Sequence, residues 1–259
     1  MNKLSEMNRI VIKIGTATLA HETGRLNIAR MECFVKVLAD LKNSGKEIVL
    51  VSSGAIGIGA GRLGLKTRPS ELSAKQACAA VGQCELMYFY DKAFSEYNHT
   101  VAQVLLTNYE LENEKRKNYV INTLSELLKM DVLPVVNEND TVAVDEIVVG
   151  DNDTLSEMVC ELVKGDCLII LSDIDGVYDD DPRVNKNAKL IKEIKVVDEY
   201  IESLAKGAGS SLGTGGMATK ISAAKKGILA GFPTIIMNGR NPEDLYCLFD
   251  DELIGTRIG

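Results

Sequence analysis

The stretch Arg9-Ile10-Val11-Ile12-Lys13-Ile14-Gly15-Thr16 decides the fold of this chain. Its apolar residues are consecutive, not alternate, so both faces of the strand need cover, as in the middle of a parallel sheet. A lysine inside such a strand is costly unless its charge is paired or used. The same rhythm of strand then helix continues along the chain. Residues 27–44 have helical spacing and close on Gly45, Glu47–Ser52 is a strand, and residues 71–97 form a long helical stretch. Val101–Leu106 is a strand, residues 116–130 are helical, and Val132-Leu133-Pro134-Val135-Val136 is another buried strand. A helix over about 153–164, the strand Cys167–Leu171, helices near 198–207 and 216–230, and a strand over Phe232–Met237 complete the pattern. No Pro/Ser-rich linker or repeat interrupts it. The expected fold is α/β: a three-layer α/β/α sandwich around a mainly parallel open sheet, in one domain over residues 1–259. In such sheets ligands sit at the carboxyl ends of the strands. The unusual turns fall there, after Lys13, Ser52, Val136 and Leu171.

Composition narrows the chemistry. With 259 residues, 46% apolar and 25% charged, this is an ordinary globular chain large enough to bury a substantial core. A net charge of −8 speaks against nucleic acid as the main partner. No apolar run approaches the roughly 20 residues a membrane helix needs. The polar start, Met1 to Asn8, shows no signal peptide, and the six cysteines form no CxxC pair. Both point to a cytoplasmic protein with reduced thiols. Only His21 and His99 are available as histidines, so a Ser-His-Asp triad or a His-bound metal has almost no material. Lysines, carboxylates and backbone amides must carry any reaction.

Two acidic, amide-rich turns stand out: Asn137-Glu138-Asn139-Asp140 and Gly150-Asp151-Asn152-Asp153. Residues 141–149 between them alternate like a β-hairpin with an acidic tip. Such a pair of turns suits a cationic group, either a substrate amine or a phosphate-handling lysine; two solvated turns are the plainer alternative. Ser52-Ser53-Gly54-Ala55 follows a strand and lets amides and the Ser53 hydroxyl approach a carboxylate or phosphate; an ordinary strand–helix turn with a serine cap is the alternative. The glycine-rich run Gly207 to Lys220 opens a helix and delivers a lysine one turn in, which is phosphate-binding chemistry. No Walker A sequence occurs. Gly59-Ala60-Gly61-Arg62-Leu63-Gly64 matches a dinucleotide fingerprint only weakly, because the strand ends seven residues before Gly59 and Glu85 lies within a helical stretch. Lys13 with Lys220 would place two cations about one phosphoryl group, and Asp153 could hold both ammonium groups.

Six motifs now stand in order: Lys13-Ile14-Gly15-Thr16, Ser52 to Ala55, Asn137 to Asp140, Gly150 to Asp153, Leu171-Ser172-Asp173 with Gly176-Val177-Tyr178 and Asp181-Pro182, and Gly213 to Lys220. Together they resemble the glutamate 5-kinases of the amino acid kinase superfamily, over essentially the whole chain. The resemblance implies transfer of the ATP γ-phosphate to the side-chain carboxylate of L-glutamate, the first step toward proline. It implies that Lys13 and Lys220 stabilise the transferring group and Asp153 organises them. Ser53, Gly54, Ala55, Asn137, Asp140 and Asn152 would bind glutamate. Lys13, Ser172, Asp173 and the segment Thr214, Gly215, Gly216, Met217, Ala218, Thr219 and Lys220 would hold ATP. Mg²⁺ would come bound to the nucleotide, with no dedicated protein metal site. Residues 1–165 or so would form the glutamate-binding half and residues from about 166 to 259 the ATP-binding half. Many members carry a further C-terminal RNA-binding-like (PUA) domain that this sequence lacks. Position 172 is Ser where Thr is common, which keeps the hydroxyl. Proline feedback and a homo-oligomer are also implied. A kinase for N-acetylglutamate or carbamate, and a non-catalytic nucleotide sensor, are the competing readings; a sensor has no need of Lys13, Asp153 and Lys220 together.

Overall fold

The computed structural model describes residues 3–21, 23–142, 151–205 and 216–259. Among them eight strands form one sheet: β1 (Arg9–Ile14), β2 (Glu47–Ser52), β3 (Val101–Leu106), β4 (Leu133–Glu138), β5 (Cys167–Ser172), β6 (Glu193–Ile194), β7 (Thr234–Asn238) and β8 (Thr256–Ile258). The helices are α1 (Thr16–Leu19), α2 (Ile28–Asn43), α3 (Ala55–Arg62), α4 (Leu72–Ser95), α5 (Asn108–Glu112), α6 (Glu114–Lys129), α7 (Asn152–Leu162), α8 (Glu199–Ala205), α9 (Met217–Ala230) and α10 (Asp244–Phe249). The strand order is β3-β4-β2-β1-β5-β7-β8-β6, parallel throughout except for the β7–β8 pair. The expected three-layer sandwich with a mainly parallel sheet is therefore the observed architecture.

β1 lies at the centre, between β2 and β5, and its alternation sorts side chains into two cores. Ile10, Ile12 and Ile14 pack with Phe34 of α2 and Leu86 and Tyr90 of α4. Val11 faces the other way, toward Leu155 and Val159 of α7 and Ile221 of α9. Burying each such side chain contributes about 1.5–3 kcal/mol. Lys13 shares the parity of Val11, so its side chain must point into the α7–α9 layer. Its strand neighbours Val51 and Ile170 offer it no polar side chain. Apolar burial thus holds in place a strand that carries a charge.

The structure revises several sequence expectations. β4 continues through Asn137 and Glu138, both buried, so the first acidic segment begins inside the strand and only Asn139-Asp140 turn away from it. The alternative of a serine-capped turn does not hold: Gly54, at φ 103°, is the N-cap of α3, and no side chain caps the helix. That left-handed backbone, with Thr16 close to where a Cβ would stand, requires glycine. The weak dinucleotide fingerprint lies largely within α3. A Cβ at Gly59 would overlap the Cys78 carbonyl oxygen, and one at Gly82 would overlap that of Ala55. These glycines let α3 and α4 touch backbone to backbone. The hairpin expected over 141–149 and the glycine-rich run before Gly216 lie outside the described residues, apart from Thr141 and Val142.

Candidate active site

Asp153 and its two lysines form the centre of the site. Asp153 stands in the first turn of α7, where Asp151 caps the helix by accepting from the Asp153 and Thr154 amides at 2.7 and 2.9 Å. The helix N-terminus favours a carboxylate there. Asp153 Oδ1 lies 2.7 Å from Lys13 Nζ, and Oδ2 lies 3.0 Å from Lys220 Nζ. The Thr219 hydroxyl donates to Oδ2 at 2.8 Å. All three charged side chains are at least 90% buried. Burial pushes the Asp153 carboxyl up, but Lys13 and Lys220 outweigh it and hold the group below the ordinary carboxylate range. Asp151 goes the other way, raised first by burial and then by the charge of Asp153. The cluster carries one surplus positive charge in a dry setting, where such a charge acts strongly on an approaching anion.

A second, uncharged group adjoins it. Asn152 Nδ2 donates to Ser53 Oγ and to Asn137 Oδ1, both at 2.8 Å, and lies 3.3 Å from the Ser52 carbonyl oxygen. Asn137 Nδ2 in turn donates to Gln83 Oε1 at 2.9 Å. Three expected residues, Ser53, Asn137 and Asn152, are thus joined directly, with the uncapped first turn of α3 (Gly54, Ala55) following Ser53 in the chain. Asp140 is half-buried in the loop after β4; burial raises its carboxyl, and the charge of Arg68 opposes the rise.

Ser172 and Asp173, at the end of β5, border two hollows. One, of about 390 Å³, is also lined by Gly216, Met217, Lys220 and Arg240. The other, of about 550 Å³, reaches Thr16, Gly57 and Arg68. They share Ser172, Asp173 and Arg240, so one cleft runs over the strand ends from α9 to α3. A larger cavity of about 850 Å³, along Ile58, Tyr88 and Phe89, shares no residue with the charged cluster. Chemistry therefore follows the smaller hollows. Thr214 and Gly215 lie outside the described residues, and Thr219 spends its hydroxyl on Asp153.

The sequence of the amino acid kinase family matches residues 8–238. Glutamate 5-kinase from Clostridium perfringens is 53% identical over 98% of this chain and 96% of that protein. The enzyme of the same name from Clostridium acetobutylicum is 51% identical over 98% and 95%. The chain belongs to the amino acid kinase family, among its glutamate 5-kinases. Among solved structures, isopentenyl phosphate kinase of T. acidophilum has a TM-score of 0.68 over 97% of this chain and 100% of that one. At 20% identity, that likeness speaks for the amino acid kinase fold alone.

Three residues in or behind the cleft do not stand out in the sequence. Gln83, Arg68 and Arg240 were missed because each stands in a helix or loop whose local pattern is ordinary. Only the tertiary contacts of α4 bring Gln83 to Asn137. His99, by contrast, stays structural as its position before β3 suggests, with Nε2 3.2 Å from the Ala39 carbonyl oxygen. Among the described residues no helix is long and apolar enough to cross a membrane.

Proposed function

We propose that this kinase transfers the γ-phosphoryl group of ATP to the side-chain carboxylate of L-glutamate, giving L-glutamyl 5-phosphate and ADP, the first step toward proline. The Lys13–Asp153–Lys220 cluster beside the Ser53–Asn152–Asn137 group is the observation that carries this reading. Glutamate would lie against the first turn of α3, with its amine toward Asn152 and Asp140. Asn152 Oδ1 is buried without a hydrogen-bond partner among the described residues, which suits an acceptor waiting for a donor. ATP would occupy the α9 side, along Ser172, Asp173 and the segment Gly216 to Lys220. The segment before β5 would thus hold the acceptor, and the part from β5 onward the nucleotide.

The chemistry needs no general base, because a carboxylate with a pKa near 4.3 is already ionised at neutral pH. Its oxygen forms a bond to the γ-phosphorus while the bond to the β-bridging oxygen breaks, and the electron pair leaves on ADP. No proton moves. Lys13 and Lys220 compensate the charge spread over the equatorial oxygens, and Asp153 fixes where both ammonium groups stand. Mg²⁺ would enter on the nucleotide. No group of three His, Cys, Asp or Glu among the described residues could hold a metal, and Asp153 is committed to two lysines. The phosphates themselves would be its main ligands. We also place the reaction in the cytoplasm, where ATP and glutamate are supplied. Proline, which keeps the α-carboxylate and amine of glutamate, would compete at the acceptor side, and a homo-oligomer is the working assembly.

The test is glutamate-dependent acyl phosphate, trapped with hydroxylamine, in wild type and Lys220→Ala. The variant should lose about three or more powers of ten in kcat while glutamate binding stays within a few-fold. Near-normal turnover in Lys220→Ala would remove that lysine from the reaction.

A further inference from the structure

Asn152 has one amide to share between the protein and the substrate, and its orientation decides whether it shows the substrate an acceptor or a donor. Both hydrogens of Nδ2 are used, one on Asn137 Oδ1 and one on Ser53 Oγ, which leaves Oδ1 buried and facing no described partner. Asn137, only 2% exposed, is itself oriented from behind by Gln83, whose Oε1 accepts from Asn137 Nδ2 at 2.9 Å. The three amides therefore form a directed chain. Reversing it would make Gln83 the donor to Asn137 Oδ1 and Asn137 the donor to Asn152 Oδ1. Asn152 would then turn its NH₂ outward, which repels an ammonium group. Ser53 cannot set the direction, because a hydroxyl donates or accepts with equal ease, whereas the Ser52 carbonyl oxygen, 3.3 Å from Nδ2, only accepts and favours the same orientation. The parity of β4 explains the contact: Asn137 shares the face of Val135, which packs in the α4 layer.

We propose that Gln83 is a positioning residue that, together with the Ser52 carbonyl oxygen, holds the polarity of this relay and so makes the site select acceptors bearing an amine. The proposal rests on the reading that Asn152 meets the glutamate amine. Gln83 touches neither substrate in it and acts through Asn137 and Asn152. A site built to bond a substrate N–H discriminates strongly against an analogue lacking it, and the discrimination weakens when the site's own partner is misoriented.

The measurement compares glutamate with glutarate, the same dicarboxylate without the amine, by ADP release with MgATP. Gln83→Met and Gln83→Leu remove the acceptor, whereas Gln83→Glu keeps an acceptor and cannot donate. The glutamate/glutarate ratio in kcat/KM should fall at least about tenfold in the Met and Leu variants, through a raised glutamate KM, and stay within about threefold in Gln83→Glu. An unchanged ratio in Gln83→Met or Gln83→Leu overturns the relay, and so does an equal loss in Gln83→Glu, which would show that Gln83 acts through its NH₂ and not through its acceptor oxygen. Should one apolar variant fail to fold, the other with Gln83→Glu decides. A wild type that releases no ADP with glutamate sinks the functional reading first, and the relay with it.

Discussion

Asn152 and Asp153 are consecutive residues at the start of α7, yet they serve opposite kinds of site. One helical step of about 100° turns Asp153 toward two buried ammonium groups and Asn152 toward neutral amides and a hydroxyl. The charged side can alter a transition state, because charge developing near it in a dry cleft is strongly stabilised. The neutral side has no such leverage, and its worth lies in shape and bond direction. Asp153→Ala should break this contrast most severely. It leaves two buried lysines without their shared carboxylate, which costs about 3–5 kcal/mol. Urea unfolding should show that loss, and kcat should collapse with it. Replacing Lys13 and Lys220 by Met in the same background should recover much of the stability and none of the turnover. If Asp153→Ala unfolds like wild type, the triad contributes nothing to the fold and its charges are paired elsewhere.

A second carboxylate sharpens the comparison from within the same helix. Glu157 lies one turn beyond Asp153, with its side chain only 4% exposed, and the nearest cation, Lys226 Nζ, is 4.0 Å away. Burial pushes its carboxyl up to about 7, against the pull of Lys226 and with help from Glu161. The two groups therefore act on stability with opposite signs. Asp153, depressed, adds stability above its unfolded pKa near 3.9, and that stability is lost as pH falls through its folded value. Glu157, raised, is cheapest when protonated. Its unfolded form ionises near 4.3, so stability falls as pH rises from there to about 7 and then levels off. Glu157→Gln should gain about 1–2 kcal/mol above pH 7, the full 1.4 kcal/mol per unit being reduced by solvent screening, and converge with wild type near pH 4. Urea midpoints from pH 4 to 8 measure this. Parallel curves for the two proteins would falsify the contrast between a closely paired and a loosely paired carboxylate on α7.

The charged half of this site was more legible in the sequence than the neutral half. A lysine inside the apolar run Ile10–Ile14 announces itself by its cost, and one lysine following a glycine-rich segment suggests its partner. Asp153 followed because something had to neutralise them. The mainly parallel sheet could be anticipated for the same reason, since continuous apolar strands need cover on both faces. The limits of β4 could not. Asn137 and Glu138 look like turn residues, and only the ladder with Leu105 and Leu106 of β3 keeps them in a strand. Gln83 was invisible because nothing within a turn or two of α4 marks it; its partner lies 54 positions away. Gly59, rightly discounted as a dinucleotide signal, was silent about its actual use for a related cause. Glycine permits close approach in either a phosphate loop or a helix crossing, and local spacing does not say which.

The smallest effect concerns the support beneath the neutral side. Ser52 and Ser53 are neighbours, but strand alternation sends Ser52 toward α4, where its Oγ lies 3.0 Å from the hydroxyl of the fully buried Tyr90. Burial raises the Tyr90 phenol far above its usual range, and the Ser52 bond opposes this only in part, so the pair is a neutral hydrogen bond. Tyr90→Phe removes one partner and leaves a buried serine hydroxyl, at a cost of about 1 kcal/mol. Ser53, which points to Asn152, keeps its place because β2 and α3 still hold the turn. Thermal unfolding should therefore shift by a few degrees, while kcat and the glutamate KM stay within about threefold of wild type. A Tyr90→Phe variant that melts normally but loses glutamate affinity tenfold would extend the neutral site through Ser52 into α4. Tyr90 would then share the role of Gln83 and not serve as simple support.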